Sequence, residues 1–462
     1  MRELAADTYV DAARRHERSR APRSSSRSTT PAAAPAPPAG ESVPLSVFDR
    51  VTYDVYMAVI YAFRPPTPPN AALELGLAKT LAVYREWAGE LADRGDAVLL
   101  NDRGGGGGGG GGALFVEATV SAPLAAVMPF GPCCGCTRAG GGRELVRVQL
   151  TRFACGSLVI GFTSHHRVAY GQAAGNFLVA WGLASRRLPV APLPVCDRAT
   201  RFPPRHPPLV QFPHRDTEYY APKKKKKNHD AGAVAVEDDD DELATVAHDK
   251  IKVHFTKEFV AGVKARASSS PSPSRRGYST AWSATSGARP RRRRGHDAPR
   301  LRARPAVPRG YFGNLVLWAF PRCAAGELAS RPVQHAAELI RLAVARADDA
   351  YFRSFVDFAS SGAVEAEGLA AKAEGLAATA DESQAVLCPD VEVDSWLGIG
   401  FYELDFGGGG GGGGPFYFTP SYLPMEGTVF LVPSFAGDGG IDAYVALFET
   451  HLDEFKKICY TY

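Results

Sequence analysis

Two adjacent histidines, His165 and His166 in the stretch SHHRVAYG, have the type and setting for proton transfer. A free imidazole titrates near ~6.5 and can take a proton at neutral pH, and a well-placed general base contributes roughly 10² to 10⁴ in rate. By residue type alone, either one is equally a buried, hydrogen-bonded structural group. Further along, Asp394 and Trp396 stand two apart in VEVDSW, the spacing that puts both on one face of a strand. An indole N–H can donate to a developing oxyanion, and a carboxylate can hold a cation. A core tryptophan and a solvated aspartate are the plain alternatives.

The elements around these residues follow from pattern. GSLVIGFTS reads as an apolar strand that runs straight into the histidines, and a helix from about Gln172 to Ser185 follows. The pair therefore falls on a strand-to-helix turn, where side chains reach the mouth of a sheet. Val146, Val148 and Leu150 alternate with polar residues as a half-buried strand, and Asn70 to Leu91 carries one apolar stripe of an amphipathic helix. AVLLND and ALFVEATV are strands on either side of Gly104 to Gly112, a loop that cannot bury enough surface to order itself. KIKVHF is a strand, and Thr256 caps a helix with Glu258 in its first turn. GYFGNLVLWAF reads as a strand, Glu327 to Ala373 as helix, and VEVDSWLGIGFYELDF as one long strand. PFYFTP and TVFLVPSF add two more, before a final helix from Ile441. Strands and helices mix without regular βαβ alternation, which predicts an α/β (α+β) chain of two lobes joined by a long crossover.

The expected divisions are a disordered extension over 1–42, an N-terminal lobe over 43–196, a crossover linker over 197–247, and a C-terminal lobe over 248–462. Within the last, residues 268–307 are aberrant, rich in Ser, Pro and Arg. At 462 residues and 45% apolar composition the chain can build two cores. No apolar run approaches the ~20 residues that span a bilayer, and residues 1–40 lack the apolar core of a signal peptide. A soluble, cytoplasmic protein with no membrane partner is expected. The net charge of +4 hides local blocks, Lys223 to Lys227, Asp238 to Asp241 and an arginine cluster up to Arg304. The basic cluster lacks interleaved aromatics and a recognised module, so a nucleic-acid partner is not expected. Of eight cysteines only Cys133, Cys134 and Cys136 cluster, and no second pair follows at zinc-ligand spacing. No metal is expected.

Two stretches carry a family resemblance. SHHRVAYGQAAGNFLVAWG resembles the HxxxDG signature of the BAHD acyl-CoA-dependent acyltransferases, with His166 on the family histidine and Gly171 on its glycine. YELDFGGGG resembles that family's DFGWG box through Asp405, Phe406 and Gly407. VFDRVTYDVYMAVIYAFRPP, GYFGNLVLWA and EVDSWLGIGFYELDFG look like the hydroxycinnamoyl-CoA:amine branch, and the likeness spans roughly 43–200, 248–266 and 309–462. It implies two lobes of chloramphenicol-acetyltransferase-like architecture, mixed sheets with flanking helices, and an active site where the lobes meet. It also implies a monomer that moves an acyl group from CoA to a small amine or alcohol, with no cofactor beyond acyl-CoA. His166 would be the base and His165 structural. Trp396 would be the oxyanion donor, Asp394 a carboxylate for a cationic acceptor, and Asp405 the maker of a structural ion pair.

The departures are specific. Tyr170 stands where the family keeps the aspartate that pairs with an arginine and fixes the histidine turn, and Gly408 stands where the box has its tryptophan. The strand bearing the arginine would precede GYFGN, within the aberrant 268–307. A catalytically impaired relative of the same fold is the alternative to an active N-acyltransferase, and an O-acyltransferase is the other.

Overall fold

The computed structural model describes residues 41–100, 112–128, 143–215, 217–220, 248–267, 303–362, 377–378, 391–408, 413–421, 426–435 and 437–461. The cysteine triplet, the lysine and aspartate blocks, residues 1–40 and most of 268–307 lie outside them, while Ser42, the last residue of the expected disordered extension, pairs with Leu99 in a short strand.

In chain order the main elements are α1 (Val47–Val51), β1 (Tyr56–Phe63), α2 (Asn70–Leu81), β2 (Leu114–Val120), β3 (Val146–Phe153), β4 (Leu158–His165), α3 (Gly171–Ser185) and α4 (Arg198–Arg201). There follow β5 (His248–Phe255), α5 (Lys257–Ala267), α6 (Ala325–Ser330), α7 (Val333–Arg346), α8 (Asp349–Ser360), β6 (Glu392–Ser395), β7 (Tyr417–Pro420), β8 (Thr428–Pro433), β9 (Ile441–Phe448) and α9 (Glu449–Ile458). Among the described residues no helix is long and apolar enough to cross a membrane.

The chain forms two compact units that are not contiguous in sequence. The first comprises the described residues within Met1–Phe202, Pro308–Leu315 and Ile399–Tyr422, and the second those within Pro203–Val307, Val316–Gly398 and Leu423–Tyr462. The sequence-based division at 196 and 248 differs in that the chain returns twice to the first unit.

The first unit is built on a five-stranded sheet, order β7-β1-β4-β3-β2, antiparallel except for the parallel β2–β3 pair. β4 lies at its centre, which is why LVIGF is apolar on both faces: Leu158, Val159, Ile160 and Phe162 are all buried. One face holds an aromatic core in which Trp87 meets the rings of Phe162, Phe177 and Phe312 at 4.9–6.1 Å. The other buries Ile60, Ala62, Leu124, Phe153 and Val159 together. α3 presents a glycine face to the returning segment: a Cβ on Gly175 would stand 2.8 Å from Ile399, and one on Gly182 2.7 Å from the Asp405 carbonyl. Only glycine lets the two backbones approach this closely.

The second unit carries a four-stranded sheet, order β6-β8-β9-β5, with Val260, Leu431, Ile441, Ala443 and Val445 as its core. Thr256 Oγ1 accepts the Phe259 N–H at 3.2 Å, the expected cap on α5. Residues 203–215 and 217–220 pack in this unit rather than hang free. The Asp357 carboxylate accepts from the backbone N–H groups of Arg205 and Leu209, and Ser354 Oγ from those of Gln211 and Phe212. The linker expected over 197–247 is thus folded as far as Tyr220, and α4 lies inside it.

Four further expectations are corrected. The helix expected to reach Leu91 ends at Leu81, because Tyr84 and Trp87 turn into the aromatic core through a 3-10 turn at Arg85–Ala88. GYFGNLVLWAF pairs only through a bridge between Val195 and Tyr311. There Gly313 sits at φ +150°, and the Asn314 N–H goes to the Asp49 carboxylate instead of a ladder. The strand from VEVDSW stops at Ser395, and Gly400–Glu403 forms a 3-10 turn against α3. IDAYVALF, expected to begin the final helix, is the buried strand β9, and α9 starts at Glu449. A short apolar run of that kind suits either element until its pairing is known.

Candidate active site

His165 ends β4, opposite Tyr56 of β1, and residues 166–170 turn into α3. Because consecutive side chains leave a strand on opposite sides, the two histidines diverge. His165 is buried, with Nε2 3.4 Å from Asp54 Oδ1 and its ring edge-on to Tyr56. His166 is half-buried, and its Nδ1 lies 3.2 Å from the hydroxyl of Thr52, the residue that ends α1.

The backbone of the turn is held at each step. The His166 N–H donates to the Val55 carbonyl at 2.9 Å, and the Val168 N–H to the His165 carbonyl at 3.2 Å. The Tyr170 N–H donates to the Gly313 carbonyl at 3.3 Å. Asn314 Nδ2 donates to the carbonyls of His166 and Arg167 at 3.0 and 3.1 Å and to Asp49 Oδ1 at 2.9 Å. Asp49 is itself buried and saturated: it accepts from the Asn314 N–H, from the Ser46 N–H and from the Ser46 hydroxyl, and it pairs with Arg198 Nη1 at 3.2 Å. Arg198 is fully buried between Asp49 and Glu86. Tyr170 caps α3 without a side-chain bond to the helix.

Sequence reading missed Thr52, Asp49, Asn314 and Arg198. The spacing of Ser46 and Asp49 before an apolar run is a capping box in miniature, with the Asp49 N–H donating to Ser46 Oγ at 3.2 Å. It could have marked α1. Nothing in the pattern could have brought Asn314 or Arg198 to the histidine.

Both imidazoles are pushed down to about 4. For His166 the cause is burial, followed by the neighbouring His165, with Asp49 pulling the other way. For His165 it is burial again, partly offset by Asp54. Accessible area leaves His166 half-open while the surrounding protein desolvates the ring. A neutral imidazole with an opening to solvent is a base in the protonation state that accepts a proton.

The remaining predicted residues fall into two groups. Asp405, Phe406 and Gly407 belong to the first unit at the far end of α3, about 22 Å of helix from Gly171. Asp405 Oδ2 pairs with Arg186 Nη1 at 2.9 Å and Oδ1 accepts the Gly407 N–H at 2.8 Å. Phe406 packs on Trp181 and Phe63 at 4.9 and 5.3 Å. In the second unit, the Trp396 indole N–H donates to Asp394 Oδ2 at 2.7 Å while its ring stacks on Phe430 at 4.8 Å. Asp394 presents surface to solvent, yet burial of its carboxyl raises it to about 6, against the Trp396 hydrogen bond and with the help of Glu392.

A base on a strand-to-helix turn fits acyl transfer, and sequence similarity gives the family. The model of the Transferase family matches residues 25–235 and 298–461, and the chain belongs to that family, the BAHD acyl-CoA-dependent acyltransferases. Agmatine hydroxycinnamoyltransferase 1 of Oryza sativa subsp. japonica is 48% identical over 450 residues, covering 92% of this chain and 94% of that protein. Putrescine hydroxycinnamoyltransferase of the same organism is 47% identical over 465 residues, covering 94% and 97%. Among solved structures, vinorine synthase superposes with a TM-score of 0.58 at 19% identity over 91% of this chain and 93% of that one. TRI101 of F. graminearum, complexed with coenzyme A and deoxynivalenol, gives 0.61 at 16% identity over 90% and 97%. The expected two-domain α/β fold and the acyltransferase class are borne out.

Proposed function

We propose that the chain transfers a hydroxycinnamoyl group from CoA to a small amine carrying a second cationic end, of the agmatine or putrescine type, as a monomer in the cytoplasm. The neutral acceptor nitrogen attacks the thioester carbonyl, and His166 Nε2 takes the proton that nitrogen loses. The developing oxyanion of the tetrahedral intermediate calls for a hydrogen-bond donor beside the thioester carbonyl. Collapse expels the CoA sulfur, which takes the proton back from His166, leaving an amide and free CoA.

The observation that supports an amine over an alcohol is the pair of acids on β6, Asp394, which presents surface to solvent, and Glu392 two residues before it. Two acids on one strand attract the cationic end of a diamine by charge, an attraction that a neutral alcohol does not feel. The names of the relatives agree with this choice. The test is turnover of p-coumaroyl-CoA with a panel of amines and alcohols, read as free thiol. Amide formation with agmatine or putrescine, lost in His166→Ala, is expected. A folded protein that turns over no better than His166→Ala removes the base assignment, and preference for an alcohol removes the acceptor class.

A further inference from the structure

At the histidine turn the Tyr170 side chain makes no cap on α3, yet the turn's backbone and ring are both held, and the holding groups converge on one residue. Asp49 begins two chains of contact. Through its capping box with Ser46 it fixes α1, whose C-cap is Thr52, and the Thr52 hydroxyl meets His166 Nδ1 at 3.2 Å. Through Oδ1 it fixes the Asn314 amide, which donates to the carbonyl of His166 itself at 3.0 Å. Ring and backbone of the same residue are thus referred to a single carboxylate, and that carboxylate is anchored by Arg198. Thr52, Asp49 and Asn314 are each exposed by no more than 1%, so water does not compete for these bonds.

The ring contact has a chemical consequence. A neutral imidazole carries its proton on one nitrogen, and a hydroxyl beside Nδ1 can accept from an Nδ1–H or donate to a bare Nδ1. If Nδ1 holds the proton, it donates to Thr52 Oγ1 and Nε2 keeps its lone pair. If Nε2 holds it, Thr52 donates to Nδ1 and no base is presented. We propose that Thr52 is a positioning residue that holds His166 in the Nδ1–H tautomer, and that Asp49 and Asn314 hold Thr52 and the histidine backbone in register for it. This rests on His166 being the base, as proposed above, and adds the device that prepares it.

The experiment uses the full chain labelled with ¹⁵N-histidine, with His166 signals identified by their loss in His166→Ala. The wild type is expected to show an Nδ1-protonated, Nε2-bare ring. Thr52→Val, which replaces the hydroxyl by a methyl of the same shape, should give a mixture of tautomers. It should also lower kcat roughly 10- to 100-fold with KM for both substrates little changed, since orientation of the base and not binding is lost. Thr52→Ser, which restores the hydroxyl, should recover both the spectrum and most of kcat. Circular dichroism and the melting temperature confirm that each variant is folded. An Nε2–H ring in the wild type overturns the proposal, and so does a Thr52→Val spectrum identical to it. The spectrum is read without turnover, so an active His166→Ala enzyme would remove the base assignment on its own account and leave the tautomer result standing.

Discussion

The side-chain amide of Asn314 is hydrogen-bonded at once to the carbonyl of His166 and to the carboxylate of Asp49, at 3.0 and 2.9 Å. Residues 148 positions apart in sequence are thereby fixed within one hydrogen bond of each other. Asn314→Ala removes both links and leaves Asp49 with fewer donors in a buried site. It is expected to cost about 1–3 kcal/mol in urea unfolding and to lower kcat more than it raises KM.

The pH dependence follows from the two depressed imidazoles. Their folded values of about 4 lie below the unfolded ~6.5, so between these values the unfolded chain binds more protons than the folded one. Stability then rises with pH in that window and falls as pH drops from about 6.5 toward 4. Thermal melts from pH 7 down to 4.5 should show this loss, and His165→Asn should reduce it. The same shift keeps the His166 base neutral, so the acid limb of kcat/KM should lie nearer pH 4 than 6.5. A limb centred at 6.5 would contradict the burial of this ring.

Arg198 is the only cation that pairs with both Asp49 and Glu86 among the described residues. Arg198→Met leaves two carboxyls buried without it, and destabilisation of roughly 3–5 kcal/mol is expected. The additional replacement Glu86→Gln should recover part of this, because burial already raises the Glu86 carboxyl and favours its neutral form. Chemical denaturation of the single and double variants measures the coupling.

Ser354, His214 and Glu218 are joined in series at 3.0 and 3.0 Å, as in a hydrolytic triad, but none is more than 1% exposed. No substrate reaches them, and their work is to clamp the segment that begins at Pro203. Ser354→Ala leaves His214 Nε2 and two backbone N–H groups without their partner, at a cost of about 1–3 kcal/mol. Hydrogen exchange should rise first at Gln211 and Phe212, whose amides bond to this serine.

Tyr170→Asp restores a side chain that can cap α3, whose N-terminus Tyr170 leaves without one. A gain of roughly 0.5–2 kcal/mol is expected. Because Gly313 and Asn314 already hold the turn, stability should change more than kcat. A large gain in kcat instead would mean that the turn is loose without an acid.

The parts legible in the sequence are those governed by local pattern. The strand GSLVIGFTS, the following helix and the Thr256 cap each announce themselves within a few residues, and the first two set His166 on its turn. Trp396 and Asp394 could be placed on one face from strand period alone. The illegible parts are those in which a distant group outbids the local preference. GYFGN has the composition of a strand, but the Asp49 carboxylate takes the Asn314 N–H. Tyr84 and Trp87 continue a helical stripe, but the aromatic core pulls them out of helix. Residues 203–220 look like a linker because their anchors, Ser354 and Asp357, lie in another element.

The edge strand β7, near the end of the chain, hydrogen-bonds to β1, near its beginning, with Pro420 opposite Val59 and Tyr417 opposite Ala62. During synthesis, β1 must therefore wait until more than 350 residues later in the chain have left the ribosome before its outer edge is covered. Throughout that interval YMAVIYAF offers a bare, apolar ladder to any other nascent chain. Premature termination between Gly171 and Tyr417 would thus release a polypeptide that still carries SHHRVAYG but leaves the outer edge of β1 bare and open to pairing with another chain.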